Sequence, residues 1–301
     1  LNIYMRVAFA PFFDRAESPF DIPGINTGFV PQDLDHVEAD DSWLFSGYMA
    51  DHSPSPIYRR ATDGTITKFY VSLPDGSPYD GHGSAITTNE QYAYLACEEG
   101  YLVIPMDDLL FAEDGASVQA TEKVDVDFSP AFMNIEQGQL LLGNFYYPND
   151  YETPENHHIT TPDGTENPAV MYAFAADPAE PGRFLTVPDN VFSIPGMVQG
   201  TCITDDGRIV LSVSYGIAPS HLLAYNVNLA APDGTFTTGS GDEVELFCLD
   251  SRNLTEDLVG PPMQEGIESH DGRVYTTDES ASNKYIFGKL CGAGRVYAVQ
   301  L

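Results

Sequence analysis

The sequence predicts an all-β fold of the propeller type, in which five four-stranded sheets stand around a central axis. Three observations predict it: a strand–turn–strand pattern recurs along the chain, further strand-like runs follow each copy, and helical periodicity is scarce. The pattern is clearest over residues 197–225, where Gln199 opens one strand and Asp205-Asp206-Gly207 turns the chain into an apolar return strand. We therefore expect a single propeller domain over residues 1–301, with six blades as the alternative count.

Each copy of the pattern begins with a polar residue and closes its second strand with another, about 14 or 15 residues later. The opening residues are Gln32, His82, Ser129, Gln199 and Gln264. The closing residues are Ser46, Cys97, Asn144, Ser214 and Asp278. The common offset in five copies indicates a true repeat.

The blade boundaries follow from these copies. The predicted blades cover about residues 30–75, 80–127, 128–195, 197–250 and 262–301. Fourth strands are expected at residues 66–73, 118–126, 184–194 and 244–249. The fifth copy ends at Leu301 without a fourth strand, so we expect the β-rich run of residues 3–12 to complete that blade and close the ring.

The remaining segments are assigned from their composition. Residues 140–142 and 209–211 are unbroken apolar runs, which is typical of strands that neighbouring blades cover on both faces. Short helical turns are predicted at residues 106–113 and 251–258, the second with Ser251 as its cap. The polar stretches 145–168 and 226–242 are expected to be surface loops.

The charge of the chain excludes some partners. The net charge is −32, from 13 Lys and Arg against 45 Asp and Glu, which argues against nucleic acid and anionic membranes. Solubility is the simplest reason for this acidity, and cation binding is the alternative. No apolar run approaches the roughly 20 residues of a transmembrane helix, so we expect no membrane insertion.

The four cysteines are predicted to be free thiols. On the predicted strands, Cys202 and Cys248 would lie about 14 Å apart, which is too far for a disulfide, and Cys97 and Cys291 fall in blades that are not neighbours. The chain begins at Leu1 rather than Met, and removal of a signal peptide is one explanation. We expect an extracytoplasmic or secreted monomer.

The repeat geometry predicts where a site lies. In a propeller the first strand of each blade lines the channel, and its start lies on the same face as the end of the second strand. The opening and closing residues should therefore surround one mouth of the channel, with the loop 145–168 over it. Their neighbours Tyr48, Tyr146, Tyr215, Glu265 and Glu279 extend the site. The Gln and Ser residues could instead serve only to satisfy backbone groups or to hold channel water.

Three kinds of chemistry suit such a mouth, where several carboxylates would repel one another unless a cation or a proton lies between them. Glu265, Asn144 and Asp278 offer oxygen ligands for a divalent cation such as Ca²⁺ or Zn²⁺. Glu265 and Asp278 also form a candidate catalytic pair of acid and base for glycoside or lactone hydrolysis. The tyrosines offer flat ring faces to a sugar or an aromatic ligand.

Two segments resemble a known group of propellers. Residues 199–209 (QGTCITDDGRI) and 264–279 (QEGIESHDGRVYTTDE) resemble blades of the NHL, YVTN and gluconolactonase-like propeller group. The resemblance extends as a blade pattern over most of the chain. It implies a propeller fold and, for gluconolactonase-like members, a metal held at the channel mouth by a Glu, Asn and Asp set, whose types Glu265, Asn144 and Asp278 match.

The function expected first is therefore binding of a small polar molecule, a sugar or a cation at an acidic channel mouth. The alternatives are a metal-dependent hydrolase of the lactonase kind and a scaffold that binds another protein across the disc face.

Overall fold

The computed structural model describes residues 2–285 and 294–301, which form a five-bladed β-propeller. The innermost strands of the five blades contact one another in a closed ring. Buried apolar side chains fill the space between each pair of adjacent blades, in five separate clusters. The core is thus divided among the blade interfaces, as the unbroken apolar second strands predict.

The chain enters through two short helices. They are α1 (Asn2–Ala8) and α2 (Ala10–Phe13), and the strand β1 (Ala16–Asp21) follows them. The prediction that residues 3–12 form the closing strand is wrong. The ring is closed by β1 instead, and Phe12 of α2 is buried between blades four and five. The apolar run that resembled a strand thus forms short helices, and Phe12 packs on the ring.

Blades one and two follow. Blade one consists of β2 (Phe29–Val37), β3 (Ser42–Met49), β4 (Pro56–Arg60) and β5 (Ile66–Ser72). Blade two consists of β6 (Ile86–Thr88), β7 (Tyr92–Cys97), β8 (Gly100–Pro105) and β10 (Glu122–Asp125), with α3 (Met106–Leu110) after β8. The helical turn predicted at residues 106–113 is confirmed by α3. The strand β9 (Ser117–Gln119) pairs in parallel with β5, so the run predicted as the fourth strand of blade two is shared between two blades.

Blade three carries the long loop. Its strands are β11 (Phe132–Glu136), β12 (Gln139–Gly143), β15 (Ala169–Phe174) and β16 (Asn190–Ile194). The loop between β12 and β15 holds a 3-10 turn (Glu155–His157) and the small hairpin of β13 (Ile159–Thr160) and β14 (Glu166–Asn167).

Blade four differs from its prediction at the outer edge. Its strands are β17 (Val198–Ile203), β18 (Ile209–Val213), β19 (Ser220–Tyr225) and β22 (Leu254–Gly260). Residues 244–249 were predicted as the fourth strand, and this is wrong. They belong to β21 (Glu243–Cys248), which pairs in parallel with β16 of blade three and carries β20 (Gly234–Thr237) on its outer side. The helical turn predicted at residues 251–258 is wrong too, because β22 occupies that segment as a strand.

Blade five joins the two ends of the chain. It consists of β23 (Gln264–His270), β24 (Arg273–Asp278), β25 (Arg295–Val299) and β1, and a 3-10 turn (Glu279–Ala281) follows β24. None of the described helices is long and apolar enough to span a membrane. Cys97, Cys202 and Cys248 are free thiols, as predicted, and Cys291 lies outside the described residues.

Candidate functional site

A large cavity opens at the face where the first strands begin. Its volume is about 1180 Å³. Most of the predicted site residues line it, namely Gln32, Tyr48, His82, Ser129, Asn144, Gln199, Tyr215 and Glu265. Phe145 and residues 151–154 also line it, so the long loop of blade three does reach the mouth. Tyr146 instead lines a smaller neighbouring cavity of about 740 Å³.

Two glutamates form the polar centre of this mouth. Glu265 lies on β23 and is 3% exposed, and Glu279 immediately follows β24. Burial raises the pKa of Glu265, and the neighbouring Glu279 carboxylate raises it further. Burial also raises the pKa of Glu279, while Gln32 donates from Nε2 to its Oε1 at 2.6 Å. The two carboxyls are hydrogen-bonded to each other, and this bond favours a proton on Glu265 and the charged form of Glu279.

A lysine and aromatic rings stand beside this pair. Lys284 donates from Nζ to the Tyr48 hydroxyl at 2.7 Å, and the same nitrogen lies 5.4 Å from the centre of the Tyr285 ring. The His82 ring lies 4.5 Å from the Tyr48 ring. Burial lowers the pKa of His82, and Lys284 lowers it further, so the imidazole is neutral at pH 7. The mouth thus combines ring faces with both hydrogen-bond donors and acceptors.

The long loop is attached to the mouth by ring contacts. The Tyr147 ring stacks on Tyr215 at 3.8 Å, and Phe145 meets Tyr151 edge-on at 5.3 Å. Tyr215 lies two residues after β18 of blade four, so its stacking with Tyr147 joins the loop of blade three to the next blade. Aromatic pairs of this kind add roughly 0.5–1.5 kcal/mol each to simple burial.

Several predicted site residues form hydrogen bonds with backbone groups. Ser46 donates to the Gly83 carbonyl at 2.8 Å, and Ser129 accepts from the Glu99 amide at 2.9 Å. Gln199 donates to the Ser214 carbonyl at 3.1 Å. This is the structural alternative that the repeat pattern left open for the Gln and Ser positions.

Asn144 is also committed to structure. Its side-chain nitrogen lies 2.8 Å from Nδ1 of His157, and its side-chain oxygen accepts from the Val170 amide at 3.0 Å. His157 is buried, and burial lowers its pKa to about 4. The amide therefore fixes the buried end of the long loop to blade three.

Gln264 and Asp278 lie away from the mouth cavity. They face each other across β23 and β24, at a point where blade four and Phe12 of α2 cover them. Both atoms of the Gln264 amide and one Asp278 oxygen have no hydrogen-bond partner among the described residues. Burial raises the pKa of Asp278, which favours its neutral form.

The three predicted metal ligands are thus engaged in different ways. Glu265 is hydrogen-bonded to Glu279, Asn144 holds the long loop, and Asp278 lies in the interface between blades four and five. A metal site made of these three stays a prediction, and it would use the Asn144 oxygen that accepts from the Val170 amide.

A second acidic group, which the sequence analysis missed, lies deeper in the channel. Asp35 on β2 hydrogen bonds to Glu268 on β23 and accepts from Thr88 Oγ1 at 2.6 Å. Burial raises the pKa of Asp35 to about 7 and that of Glu136 to about 9, and it raises the pKa of Glu268 as well. Asn134 donates to Glu268 at 3.3 Å.

Asp33 fastens the first strands to one another. Its carboxylate accepts from the Leu34 amide and from the Ile86 amide of blade two, both at 2.8 Å. A Cβ at Gly266 would lie 1.8 Å from Asp33 Oδ1, so only glycine fits at that point of β23. The signal for this inner group was present in β2, where Asp33 and Asp35 are two residues apart in a strand that is buried along its whole length.

Comparisons with known proteins find similar solved structures but no matching sequence family. No protein-family model matches the sequence, and no curated protein matches it significantly. Similar solved structures include a putative oxidoreductase (glucose dehydrogenase) from Thermus thermophilus, at 11% identity and TM-score 0.46, with 95% of this chain and 99% of that chain covered. The PQQ-bound aldose sugar dehydrogenase from Streptomyces coelicolor is 15% identical, with TM-score 0.45 and coverage of 95% and 81%.

A gluconolactonase from Xanthomonas campestris is 10% identical to the chain, with TM-score 0.45 and 95% of both chains covered. The propeller fold that the sequence resemblance implied is the fold of this chain. These likenesses are too distant to bring an activity or a site with them.

Proposed function

We propose that the protein binds a small polyhydroxylated ligand, of the size of a sugar, in the cavity at the channel mouth. The observation that carries this proposal is the composition of the cavity wall. A hydrogen-bonded pair, Glu265 and Glu279, lies beside the Gln32 amide and the ring faces of Tyr48 and Tyr285. Sugars are bound by such a combination, because their hydroxyls both donate and accept while their C–H faces pack on aromatic rings.

The charges around the mouth favour a neutral or cationic ligand. Five described acidic residues line the cavity against two basic ones, Lys123 and Lys284. The acidic ones are Asp80, Glu98, Glu152, Glu265 and Glu279. An anionic ligand would meet a repulsive potential on approach. A cation remains an alternative ligand of the same cavity, since it would also relieve the repulsion between Glu265 and Glu279.

The binding test uses titration calorimetry with a panel of neutral monosaccharides, amino sugars and their lactones. Glu265→Gln keeps a neutral donor and should bind within about threefold of the wild-type protein, whereas Gln32→Ala should bind at least tenfold more weakly, since about 1.4 kcal/mol is a factor of ten. Gln91→Ala, at an exposed turn residue, is the matched control and should not change the affinity. Absence of heat with every sugar, amino sugar and lactone of the panel would overturn the proposal.

A hydrolase is the second candidate, and the same carboxyl pair favours it. A neutral carboxyl next to a carboxylate supplies the acid and the base that lactone or glycoside hydrolysis needs. Turnover of a lactone panel should then be lost in Glu265→Gln, although ligand binding is kept. Wild-type inactivity on all members of the panel would leave the binding function alone.

The extracytoplasmic location and the monomeric state stay predictions. Fractionation of the expressing cells and light scattering of the purified protein would test them.

A further inference from the structure

Two histidines meet on the face opposite the mouth, where the first strands of blades one and five end. His36 lies on β2 and is buried, and His270 is the last residue of β23. Their rings stack with centroids 3.7 Å apart and an angle of 28° between the ring planes. Glu38 lies just beyond β2, and one ligand atom from each of these three residues lies within 4.8 Å of the other two.

The ring of His36 faces a carboxylate at each of its nitrogens. Nε2 lies 3.1 Å from Oδ1 of Asp41, and Nδ1 lies 3.5 Å from Oε1 of Glu38. A neutral imidazole has one N–H, and an ionised carboxylate only accepts. If Nε2 donates to Asp41, the lone pair of Nδ1 faces the Glu38 oxygen with nothing between them. A cation bound between these two atoms would replace their repulsion with one bond to each atom.

His270 has a similar surrounding. Its Nε2 lies 3.4 Å from Oδ2 of Asp271. Metal-bound histidines ordinarily donate their second ring nitrogen to a carboxylate, which fixes the ring and raises its basicity. Asp41 and Asp271 are placed for that role.

We propose that His36, His270 and Glu38 form a binding site for a divalent transition-metal ion of the zinc, copper or nickel type. Two imidazoles and a carboxylate suit these ions, whereas Ca²⁺ and Mg²⁺ prefer oxygen ligands alone. Zinc–nitrogen bonds of about 2.0 Å place tetrahedral ligands about 3.3 Å apart. Binding therefore draws the three ligand atoms together and turns the two stacked rings out of their parallel arrangement. Water completes the coordination.

The chain contains a built-in reporter for this site. Trp43 is its single tryptophan, and the indole lies 5.2 Å from the His36 ring and 5.6 Å from the His270 ring. The same indole stacks on Tyr275 at 4.5 Å. Bound Cu²⁺ should therefore quench the tryptophan fluorescence of the whole protein with a stoichiometry of one, and Zn²⁺ should compete with it and restore the signal.

The test is a fluorescence titration of the full chain with Cu²⁺, followed by Zn²⁺ competition, at a pH of roughly 7.5 and after removal of metal with a chelator. His270→Gln and Glu38→Gln should each weaken binding at least tenfold. His221→Gln is the control, because His221 pairs with Asp257 at 2.8 Å on the surface without a second histidine, and it should leave the titration unchanged. Circular dichroism confirms that each variant is folded.

Two outcomes would overturn the proposal. One is the absence of saturable quenching, which would mean that the stacked His36 and His270 rings bind no metal ion. The other is equal metal affinity in the wild-type protein, His270→Gln and Glu38→Gln, which would place the ion elsewhere. Glu265→Gln serves as a further control, since a metal held at the mouth would respond to it and a metal at His36 would not.

Discussion

The two acidic groups along the channel are alike in composition but differ in what surrounds them. At the mouth, Glu265 and Glu279 have Gln32 and Lys284 as neighbours that favour the charged form of Glu279. Deeper in the channel, Asp35 and Glu268 have mainly each other and Glu136, so burial and like charge both favour protonation. The mouth can therefore keep one negative charge for a ligand, whereas burial and like charge favour the protonated forms of the inner group.

The largest expected effect is a loss of stability with rising pH. In the folded protein the inner carboxyls keep their protons to a higher pH than in the unfolded chain, so unfolding releases protons and the free energy of unfolding falls as the pH rises. Each retained proton contributes about 1.4 kcal/mol per pH unit. Asp35 contributes up to its pKa of about 7 and Glu136 up to about 9. Denaturant titrations between pH 5 and roughly 9 should show the decline, measured in kcal/mol.

Glu268→Gln tests the difference between the two acidic groups, because it replaces one protonated acid of the inner group by a neutral amide. It should remove about one proton from the pH dependence and raise the free energy of unfolding above that of the wild-type protein at a pH of roughly 8. Glu279→Gln at the mouth should change the slope less. Equal slopes in the two variants, or a wild-type stability that rises over this range, would contradict the assignment of protons to the inner group.

The next largest loss of stability is expected at Gly266, where the absence of a side chain leaves room for Asp33 in the channel. Gly266→Ala forces a methyl group onto Asp33 Oδ1, because the added Cβ would lie 1.8 Å from that oxygen. We expect a loss of about 3 kcal/mol in the free energy of unfolding, which is typical of severe overpacking. Gly234→Ala is the matched control, since no atom lies within 4 Å of its added Cβ. A change of less than about 1 kcal/mol in Gly266→Ala would show that Asp33 can move away.

The smallest effect is expected at the mouth itself. Gln32→Ala removes the donor to Glu279, which remains partly exposed and keeps Lys284 nearby. The free energy of unfolding should fall by about 1 kcal/mol or less, as for an ordinary hydrogen bond. Thermal unfolding measures it, and a loss as large as that of Gly266→Ala would mean that the mouth is part of the structural core rather than a site for ligands.

The repeat predicted the ring because it depends on features that every blade shares. Gln32 and Ser46, or Gln199 and Ser214, mark the same two positions of successive blades, and their common spacing carries the blade count. The strand predictions are wrong where a strand lacks such a polar residue at a repeated position. The true closing strand, Ala16–Asp21, contains a proline and alternates weakly, as edge strands do, while the apolar run before it resembled a buried strand.

The outer strands show the same difficulty. Residues 243–248 alternate apolar and acidic side chains, and nothing local tells whether they extend blade three or complete blade four. They pair in parallel with β16, and this pairing depends on residues that are distant in the sequence. At the site, the positions of Glu265 and Gln32 followed from the repeat, but the distance of Asp278 from the cavity did not, because it depends on which face of β24 the last residue occupies.

The closure of blade five imposes an order on biosynthesis. Ser18 and Val296, which are bonded in the closing pair, lie 278 positions apart in the chain. Blades one to four can assemble as the ribosome delivers them, but β1 waits for its partner until β25 emerges. During that interval the nascent protein exposes an unsatisfied sheet edge, which is a known route to aggregation. Slower translation between β1 and β25 is therefore expected to lower the yield of folded protein.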